Sequence, residues 1–454
     1  MDRTALNRDR STNRLAEQPL PLARELSRKI LDRSAKLGVV GLGYVGLPLA
    51  VEMAREGFRV TGVDLLRNKV EAVNSGMSYV LDVPSEALFS LVTAEKLRAT
   101  QSMAAIEDLD SVNICVPTPL RKNKDPDLSY VIAAVEAIRN HIRPGQLIIL
   151  ESTTYPGTTR EIVMPVLEES GLKAGRDFFL AYSPERVDPG NKHYTTRNIP
   201  KVVGGITATC VEVAALLYRQ FITEVVTVSS TECAEMVKLL ENTFRSVNIA
   251  LANEMALTCH GLGINVWEVI EAAKTKPFGF MPFYPGPGLG GHCIPVDPYY
   301  LTWKAKMNGC EPRLIELAGH INGQMPVFTV RLVADALNEK GKSLKGSKVL
   351  AIGVAYKRDT NDVRESPAFQ ILQGLRQKGA EISFYDPHVS AISIGDETLR
   401  SVNPTPEVLA SVDCSVILTD HTGIDYERIA KFSPLVVDTR NALRGSQYPN
   451  VMVL

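Results

Sequence analysis

The sequence lacks a strong excess of either charge and lacks a long apolar run. Lysine and arginine total 50, and aspartate and glutamate total 51, in 454 residues. The chain therefore lacks the basic excess of proteins that bind nucleic acid mainly through phosphates. No segment reaches the roughly 18 uninterrupted apolar residues of a membrane span, and the arginine-dotted start has no signal-peptide core. We predict a soluble, cytoplasmic protein with no nucleic-acid or membrane partner.

Cysteine is sparse and irregularly spaced. The odd total and the absence of any Cys-x-x-Cys pair argue against a disulfide framework and against a cysteine-clamped zinc site. We therefore predict a reducing compartment and no bound metal. The seven cysteines are Cys115, Cys210, Cys233, Cys259, Cys293, Cys310 and Cys414.

The chain is too long for one hydrophobic core. Two kinds of sequence pattern alternate along it. From Lys36, short β-branched runs alternate with helical stretches, which indicates a parallel sheet covered on both faces. A second set of such runs begins at residue 347. Between them, residues 231–261 contain no proline and carry apolar side chains at helical spacing. The predicted fold class is α/β, with two doubly wound Rossmann-like domains joined by a long central helix.

A glycine turn follows the first predicted strand. Gly41, Gly43 and Gly46, with Tyr44 and Val45 between them, stand before a helix-compatible run, as a turn that brings backbone amides to a pyrophosphate requires. Asp64 ends the next strand, 23 positions after Gly41. A carboxylate there accepts ribose hydroxyls and repels a 2′-phosphate, so NAD is favoured over NADP. Arg67, close behind, is the one residue here that would suit NADP.

A loop rich in proline and glycine, residues 277–298, contains His292 and Cys293. A lone cysteine is more often a small buried apolar residue than a nucleophile. Adjacent residues of extended chain point in opposite directions, so His292 is assigned to substrate binding or loop structure and not to activation of the thiol. The loop by itself leaves both interpretations of Cys293 open.

Seven separated motifs resemble those of the UDP-glucose/GDP-mannose dehydrogenase family, in the same order, from about residue 36 to the C-terminus. Ser-Pro-Glu-Arg-Val and the cysteine motif are most similar to the branch acting on UDP-N-acetylhexosamines, with UDP-N-acetylglucosamine the first expectation. The motifs are GLGYVGLP (41–48), VPTP (116–119), ESTTYPGT (151–158), SPE (183–185), KLLEN (238–242), GGHCIPVD (290–297) and DVRESP (362–367).

The resemblance implies a four-electron oxidation of a sugar C6 alcohol to a carboxylate with two NAD⁺. Cys293 would trap the intermediate aldehyde as a thiohemiacetal and then carry a thioester. Lys238 and Asn242, four residues apart on one helix face, would hold the C6 oxygen. Asp297 would act near the thiol and the water, Glu185 would be the base for hydrolysis, and Thr118 would position water or cofactor.

The resemblance also implies the binding residues. Arginine suits phosphate because its planar fork binds two oxygens. A larger 2-acetamido group would explain Arg186 and Val296, where the UDP-glucose branch has an aromatic residue and lysine. Cofactor contacts are expected from Thr118, Ser152, Thr153 and Arg364 besides the glycine turn, and substrate contacts from Glu185, Arg186, Lys238, Asn242, Tyr284, Gly288, Gly290, His292, Tyr356 and Lys357.

These considerations predict four segments, and the resemblance implies a homodimer formed through the long helix, or a higher homo-oligomer. The segments are a tail at 1–35 with a short amphipathic helix within 21–35, an NAD-binding Rossmann domain at 36–230, a central helical and dimerisation region with the cysteine loop at 231–340, and a UDP-sugar-binding α/β domain at 341–454. Alternatives left open are UDP-N-acetylmannosamine, UDP-N-acetylgalactosamine or UDP-glucose as substrate, a two-electron hydroxyacid-type dehydrogenase, and a non-catalytic nucleotide-sugar sensor.

Overall fold

The computed structural model describes residues 20–80, 82–121, 123–187, 193–291, 293–446 and 448–454. Within these residues the chain forms two compact units. The first comprises the described part of Met1–Pro117, with Ser129–Ser152 and Gly157–Glu235; the second comprises Thr118–Leu128, Thr153–Pro156 and Met236–Leu454.

The first unit is built on an eight-stranded sheet in the order β3-β2-β1-β4-β5-β6-β7-β8. Every residue of the central strands β4, β5 and β6 is buried, as expected for a sheet covered on both faces. The strands are β1 (Lys36–Val40), β2 (Arg59–Val63), β3 (Leu97–Thr100), β4 (Ser111–Ile114), β5 (Leu147–Leu150), β6 (Phe179–Tyr182), β7 (Lys201–Gly205) and β8 (Val225–Thr227).

Seven α-helices accompany this sheet in the described part of the unit. They are α1 (Pro21–Leu31), α2 (Gly46–Arg55), α3 (Arg67–Asn74), α4 (Ser85–Thr93), α5 (Ser129–Arg139), α6 (Met164–Glu168) and α7 (Ala208–Tyr218), together with a 3₁₀ helix at Met103–Asp108 and a π-helical turn at Thr159–Val163. The amphipathic helix α1 buries Ala23, Leu26 and Ile30 in the same core as the inner face of α7.

One strand pair departs from the predicted parallel arrangement. β6 and β7 are antiparallel, with Tyr182 aligned to Gly204, whereas the other neighbouring pairs of this sheet are parallel. The described residues between them contain no helix. A parallel connection needs a crossover that is usually helical, whereas an antiparallel return does not. The pairing therefore follows from the connection, which the short strand motifs alone do not reveal.

The second unit contains most of the long helix α8 and a five-stranded parallel sheet in the order β10-β9-β13-β14-β15. α8 (Thr231–Leu262) has 32 residues. The other helices are α9 (Val266–Lys274), α10 (Asp297–Met307), α11 (Arg313–Glu339), α12 (Pro367–Gln377), α13 (Pro406–Ser411) and α14 (Tyr426–Phe432). The strands are β9 (Lys348–Ile352), β10 (Glu381–Tyr385), β13 (Cys414–Ile417), β14 (Val436–Asp438) and β15 (Val451–Val453), with a hairpin of β11 (Ala391–Ile394) and β12 (Glu397–Arg400).

A largely parallel sheet in the first unit, a parallel sheet in the second and a long helix between them in the chain confirm the predicted α/β fold class. Each sheet lies in a separate hydrophobic core, one containing Leu37, Val39 and Phe179 and the other Val349, Ala351 and Val416. Among the described residues we find no helix whose length and apolar character would let it cross a bilayer.

Candidate active site

The glycine turn lies at the C-terminal end of β1, between its two sheet neighbours β2 and β4, where strand order reverses. Gly41 has φ +94°, and a Cβ there would lie 2.4 Å from the carbonyl oxygen of Cys115. A Cβ on Gly46 would lie 1.8 Å from the carbonyl oxygen of Gly41, whereas a Cβ on Gly43 would meet no protein atom within 4 Å. Two glycines therefore close the turn, and the third leaves open space at the start of α2, as a bound pyrophosphate requires.

Asp64 follows β2 and fixes the turn from the other side. Its carboxylate accepts hydrogen bonds from the backbone amides of Leu42 and Leu66, both at 2.9 Å, and Lys69 lies 3.3 Å away. An ionised carboxylate has about four acceptor positions, so it retains capacity for ribose hydroxyls. Arg67 is ion-paired with Glu71, and its side chain is 81% exposed. This geometry fits NAD.

Tyr44 and Val45 occupy the middle of the turn. Tyr44 is largely exposed, and Val45 is the residue that precedes α2.

Ser152 lies after β5, and its hydroxyl donates to the carbonyl of Val116 at 2.8 Å and accepts from the amide of the same residue at 3.0 Å. Ser152 thus joins the segments that follow β4 and β5. The next residue, Thr153, belongs to the second compact unit.

Glu185 is held by a buried charged group in the first unit. Its Oε1 accepts the backbone amides of Arg186 and Val187, both at 2.7 Å, and its Oε2 lies 3.1 Å from the Lys201 ammonium group. Lys201 also lies 2.6 Å from Glu151. The Arg186 guanidinium donates to the carbonyl of Pro200 at 2.6 Å. Glu185 is therefore oriented by backbone and cation together.

In the second unit, Lys238 and Asn242 lie on α8 and are both largely buried, with 8% and 6% exposure. The Asn242 amide donates to Asp297 at 2.5 Å. Asp297 is the first residue of α10 and is 3% exposed. Burial raises the pKa of Asp297 to about 6, against the opposing effects of Lys238 and the Asn242 hydrogen bond. The structure thus brings together three of the predicted catalytic residues.

Cys293 lies immediately before α10. Its carbonyl accepts the backbone amides of Val296 and Asp297, at 3.0 and 2.8 Å, which forms the turn leading into the helix. Burial and then the Asp297 charge raise the pKa of the thiol, while Lys238 acts in the opposite direction. The resting sulfur is therefore a thiol rather than a thiolate, and the predicted nucleophile must lose its proton as it reacts.

Thr118 is connected to the same helix. Its backbone carbonyl accepts a hydrogen bond from the Tyr300 hydroxyl at 3.0 Å, and Tyr300 lies on α10, one turn after Asp297. Thr118 is 4% exposed. Because residues three apart lie on neighbouring positions of a helix surface, α10 carries both the acid and the support for the Thr118 loop.

The glycines of the cysteine loop pack against the segment that follows β9. A Cβ on Gly290 would lie 2.7 Å from Cβ of Tyr356, and one on Gly288 would lie 2.9 Å from Pro367. The amide of Gly291 donates to the carbonyl of Arg364 at 3.1 Å. Only glycine permits this approach, so the cysteine loop and the Tyr356–Arg364 segment form one surface.

Two charged side chains of this segment, those of Lys357 and Arg364, have different neighbours. The Lys357 ammonium lies 5.7 Å from the centre of the Tyr356 ring. The Arg364 guanidinium is paired with Asp362, and its side chain is 48% exposed. A phosphate at Arg364 would therefore compete with Asp362 for its donors.

Two predicted substrate residues need separate description. The Tyr284 hydroxyl donates to Glu271 at 2.7 Å, and its ring stacks on Trp267 with a centroid distance of 6.1 Å, so its contacts are to α9. His292 lies outside the described residues.

Sequence reasoning missed several polar residues near the predicted ones. Arg245 lies three residues after Asn242, and its charge lowers the pKa of Cys293. Extending the Lys238 and Asn242 face by one turn would have found it. Glu151 stands within the motif ESTTYPGT but received no role, and Lys201 was not singled out from the sequence.

One group of potential metal ligands was not predicted. Ligand atoms of Asp359, His388 and His421 lie within 4.8 Å of one another in the second unit. His421 already uses both ring nitrogens, because Nδ1 accepts the Asp359 amide and Nε2 pairs with Asp386, each at 3.0 Å. His421 therefore holds the loop after β9, and both of its ring nitrogens are already engaged by other partners.

Comparisons with known proteins find similarity along most of the chain. Models of the UDP-glucose/GDP-mannose dehydrogenase family match the chain at residues 35–222 (NAD-binding domain), 232–324 (central domain) and 350–445 (UDP-binding domain). A Pseudomonas aeruginosa UDP-N-acetyl-D-glucosamine 6-dehydrogenase is 38% identical, over 79% of this chain and 84% of its own. The matched NAD-binding domain confirms the predicted cofactor.

Proteins of Pyrococcus horikoshii give a second comparison. Its UDP-N-acetyl-D-mannosamine dehydrogenase is 37% identical, over 90% of this chain and 96% of its own. The structure of a UDP-D-ManNAc dehydrogenase from that organism has a TM-score of 0.85 and 36% identity, and covers 92% of this chain and 98% of its own. The similarity therefore extends through both compact units.

Proposed function

Because the chain belongs to the UDP-glucose/GDP-mannose dehydrogenase family and is an NAD-dependent nucleotide-sugar dehydrogenase, we propose that it oxidises the C6 alcohol of a UDP-N-acetylhexosamine to the carboxylate. UDP-N-acetylglucosamine is the first candidate substrate, and the product would serve surface polysaccharide synthesis. The observation that carries this proposal is the cluster of Lys238, Asn242 and Asp297 at the helix that Cys293 precedes.

The proposed reaction needs a sulfur nucleophile because one carbon is oxidised twice. NAD⁺, when bound, takes up the two electrons of each oxidation. The Cys293 sulfur adds to the C6 aldehyde, and the thiohemiacetal that forms can be oxidised to a thioester, which water cleaves to the carboxylate and the free thiol. The cysteine is regenerated, and two NADH form for each sugar.

Lys238 and Asn242 would stabilise oxygen at C6. Both are polar hydrogen-bond donors on one face of α8, and both are largely buried. Negative charge develops on that oxygen when the sulfur adds to the aldehyde and when water adds to the thioester. Donors that are already oriented in a site of low polarity lower the energy of both steps.

Asp297 would receive the thiol proton. The Cys293 pKa is raised, so the S–H bond must break as the C–S bond forms. The Asp297 carboxylate, with a pKa of about 6, is mostly ionised at neutral pH and can accept that proton. Glu185 would take the proton of the hydrolytic water, and Thr118 would position that water or the cofactor.

The cofactor residues of the proposal are those of the glycine turn with Asp64, since the turn leaves space beside Gly43. Arg67, paired with Glu71, is a weaker member of this set. Ser152 would shape the site through Val116. The remaining proposed cofactor contacts are Tyr44, Val45, Thr118, Thr153 and Arg364.

The UDP-sugar would contact the surface formed by the cysteine loop and the segment after β9. Lys357 and Arg364 provide cations for the diphosphate, and Gly288 and Gly290 allow close approach of the backbone. Tyr284, which is held by Glu271, is a weaker candidate. Tyr356, His292 and Arg186 complete the proposed substrate set.

The decisive test is the yield of NADH. We expect two NADH per UDP-N-acetylglucosamine in the wild type, and a fall in rate of about a thousandfold or more in Cys293→Ala, as for loss of other covalent nucleophiles. One NADH per sugar together with an active Cys293→Ala variant would indicate a two-electron dehydrogenase. Ligand binding with no NADH from any UDP-sugar would indicate a sensor.

Substrate choice needs a panel, because the relatives include enzymes named for UDP-N-acetylglucosamine and for UDP-N-acetylmannosamine. UDP-N-acetylglucosamine, its manno and galacto epimers, and UDP-glucose should be compared by kcat/KM with product masses. We expect UDP-N-acetylglucosamine to have the highest kcat/KM.

All seven cysteines are free, which supports the proposed cytoplasmic setting.

A further inference from the structure

Lys201 lies opposite Glu185 because of the antiparallel pairing of β6 and β7. That pairing aligns Tyr182 with Gly204. Continuing the register three residues beyond Tyr182 brings Glu185 level with Lys201, the first residue of β7. The side chains meet, with Nζ 3.1 Å from Glu185 Oε2.

The same ammonium group also contacts Glu151, which follows β5. Nζ lies 2.6 Å from Glu151 Oε2, and the side chains of Lys201 and Glu151 are 5% and 0% exposed. The other oxygen of Glu151 accepts the Tyr218 hydroxyl and the Asn113 amide, each at 2.6 Å. One buried cation thus serves two carboxylates.

Two further ionisable groups of this cluster, Cys115 and Tyr218, are neutral. Burial and then the Glu151 charge raise the pKa of the Cys115 thiol and of the Tyr218 hydroxyl, so both keep their protons. Arg186 directs a guanidinium nitrogen to the carbonyl of Pro200. Lys201 is the cation that contacts both Glu151 and Glu185.

Lys201 donates hydrogen bonds in this cluster but does not release a proton. Burial by itself would lower the pKa of the ammonium group, but the charges of Glu151 and Glu185 outweigh it and raise the pKa above the usual value. The group therefore stays charged, and it presents a positive charge to both carboxylates.

We propose that Lys201 is a positioning residue for the hydrolytic half of the reaction, which keeps Glu185 ionised and oriented to receive a proton from water. This inference rests on the proposed function. In that step an O–H bond of water breaks, the proton moves to Glu185, the oxygen bonds to the acyl carbon, and the C–S bond breaks to release the Cys293 thiolate. Lys201 keeps all its protons, and Glu185 later returns its proton to solvent.

Replacing Lys201 by neutral methionine removes the positive charge that both carboxylates contact. Such a pair takes up a proton at a higher pH than either carboxylate beside a cation. Hydrolysis should then become slow at neutral pH and recover as the pH rises. Arginine keeps the charge, so Lys201→Arg should retain the wild-type pH dependence.

The test follows the covalent Cys293 adduct by intact-protein mass, and the turnover rate from about pH 6 to pH 9, with NAD⁺ and UDP-N-acetylglucosamine. We expect Lys201→Met to accumulate the thioester near pH 7, with turnover reduced about tenfold or more and an acid limb moved up by at least about one pH unit. Glu185→Gln should accumulate the adduct at every pH. The double variant Lys201→Met with Glu151→Gln restores charge balance, and its acid limb should return toward that of the wild type.

The outcomes separate this inference from the proposed function. If Glu185→Gln accumulates adduct but Lys201→Met has the wild-type pH profile, or if Lys201→Arg behaves as Lys201→Met, the role of Lys201 is wrong and the thioester route stands. If no variant forms an adduct and wild type yields one NADH per sugar, the route itself fails and the inference with it. The double variant Lys201→Met with Glu151→Gln loses one positive and one negative charge, so we expect it to fold. If Lys201→Met alone does not fold, the double variant and Lys201→Arg still test the role of Lys201.

Discussion

The thiol of Cys293 responds to nearby charges of both signs, of which Asp297 and Lys238 have the largest effects. Burial raises its pKa most, the Asp297 carboxylate raises it further, and Lys238 lowers it. Only the thiolate reacts with an alkylating reagent, so the reaction rate at a pH below the pKa reports the pKa directly. The two neighbours therefore make a matched pair of perturbations.

We predict that Asp297→Asn speeds alkylation of Cys293 by iodoacetamide at neutral pH and that Lys238→Met slows it, each by about three- to tenfold. The pH midpoint should fall in the first variant and rise in the second. Cys310, which is exposed, serves as the reference within the same peptide mass spectra and should keep its rate. Equal rates at Cys293 in both variants would show that these charges do not act on the thiol.

At this scale, some residues could be predicted from sequence and others could not. Lys238 and Asn242 are four residues apart on one helix, so local spacing places them on one face. Asp297 meets Asn242 across 55 positions, and only the family resemblance suggested their common role. Lys201 and Glu151 are 50 positions apart and meet through strand order and an antiparallel register, neither of which the individual strands specify.

At the scale of the element, substitutions in the turn between β1 and α2 test the predicted cofactor site. Gly46→Ala would place a Cβ 1.8 Å from the Gly41 oxygen, whereas Gly43→Ala meets no protein atom within 4 Å. We therefore expect Gly46→Ala to lower the melting temperature and Gly43→Ala to leave it unchanged. Gly43→Ala should still weaken NAD binding by about tenfold or more, because its methyl group lies where the pyrophosphate approaches.

Differential scanning fluorimetry and calorimetric titration with NAD⁺ measure these effects. Each variant acts as the control for the other, since one changes the fold and the other changes the ligand space. Wild-type NAD affinity in Gly43→Ala would exclude this turn from the pyrophosphate site.

Elements with strong local signals were predictable. The β1 turn, Asp64 and α8 each depend on a short stretch of sequence, with glycines, a strand end or helical spacing. The direction of β7 was not predictable from the sequence, because it depends on the connection from β6 rather than on residues of the strand. Long-range pairing, not local preference, determined what could not be foreseen.

At the scale of the whole molecule, α8 carries an apolar surface that the single chain leaves exposed. The stripe consists of Met236, Leu240, Phe244, Leu251 and Met255, with exposures of 41, 63, 47, 56 and 41%. These residues repeat at intervals of four and seven, so they follow one side of the helix. A contiguous exposed apolar stripe typically marks a contact with another protein, and the proposed contact is a second copy of this chain.

We predict that the wild type is a dimer by light scattering after size-exclusion chromatography and that Leu240→Glu with Leu251→Glu shifts it to monomer. Two opposed copies would bring the introduced carboxylates close together in a water-poor interface, which costs several kcal/mol. Leu31→Glu is the matched control, because Leu31 is 62% exposed but lies on α1. A dimer that survives the paired α8 substitutions, or a wild type that is monomeric at micromolar concentration, would exclude α8 as the contact. If the shift occurs and NAD binding persists while turnover falls, assembly supports catalysis rather than folding of the cofactor site.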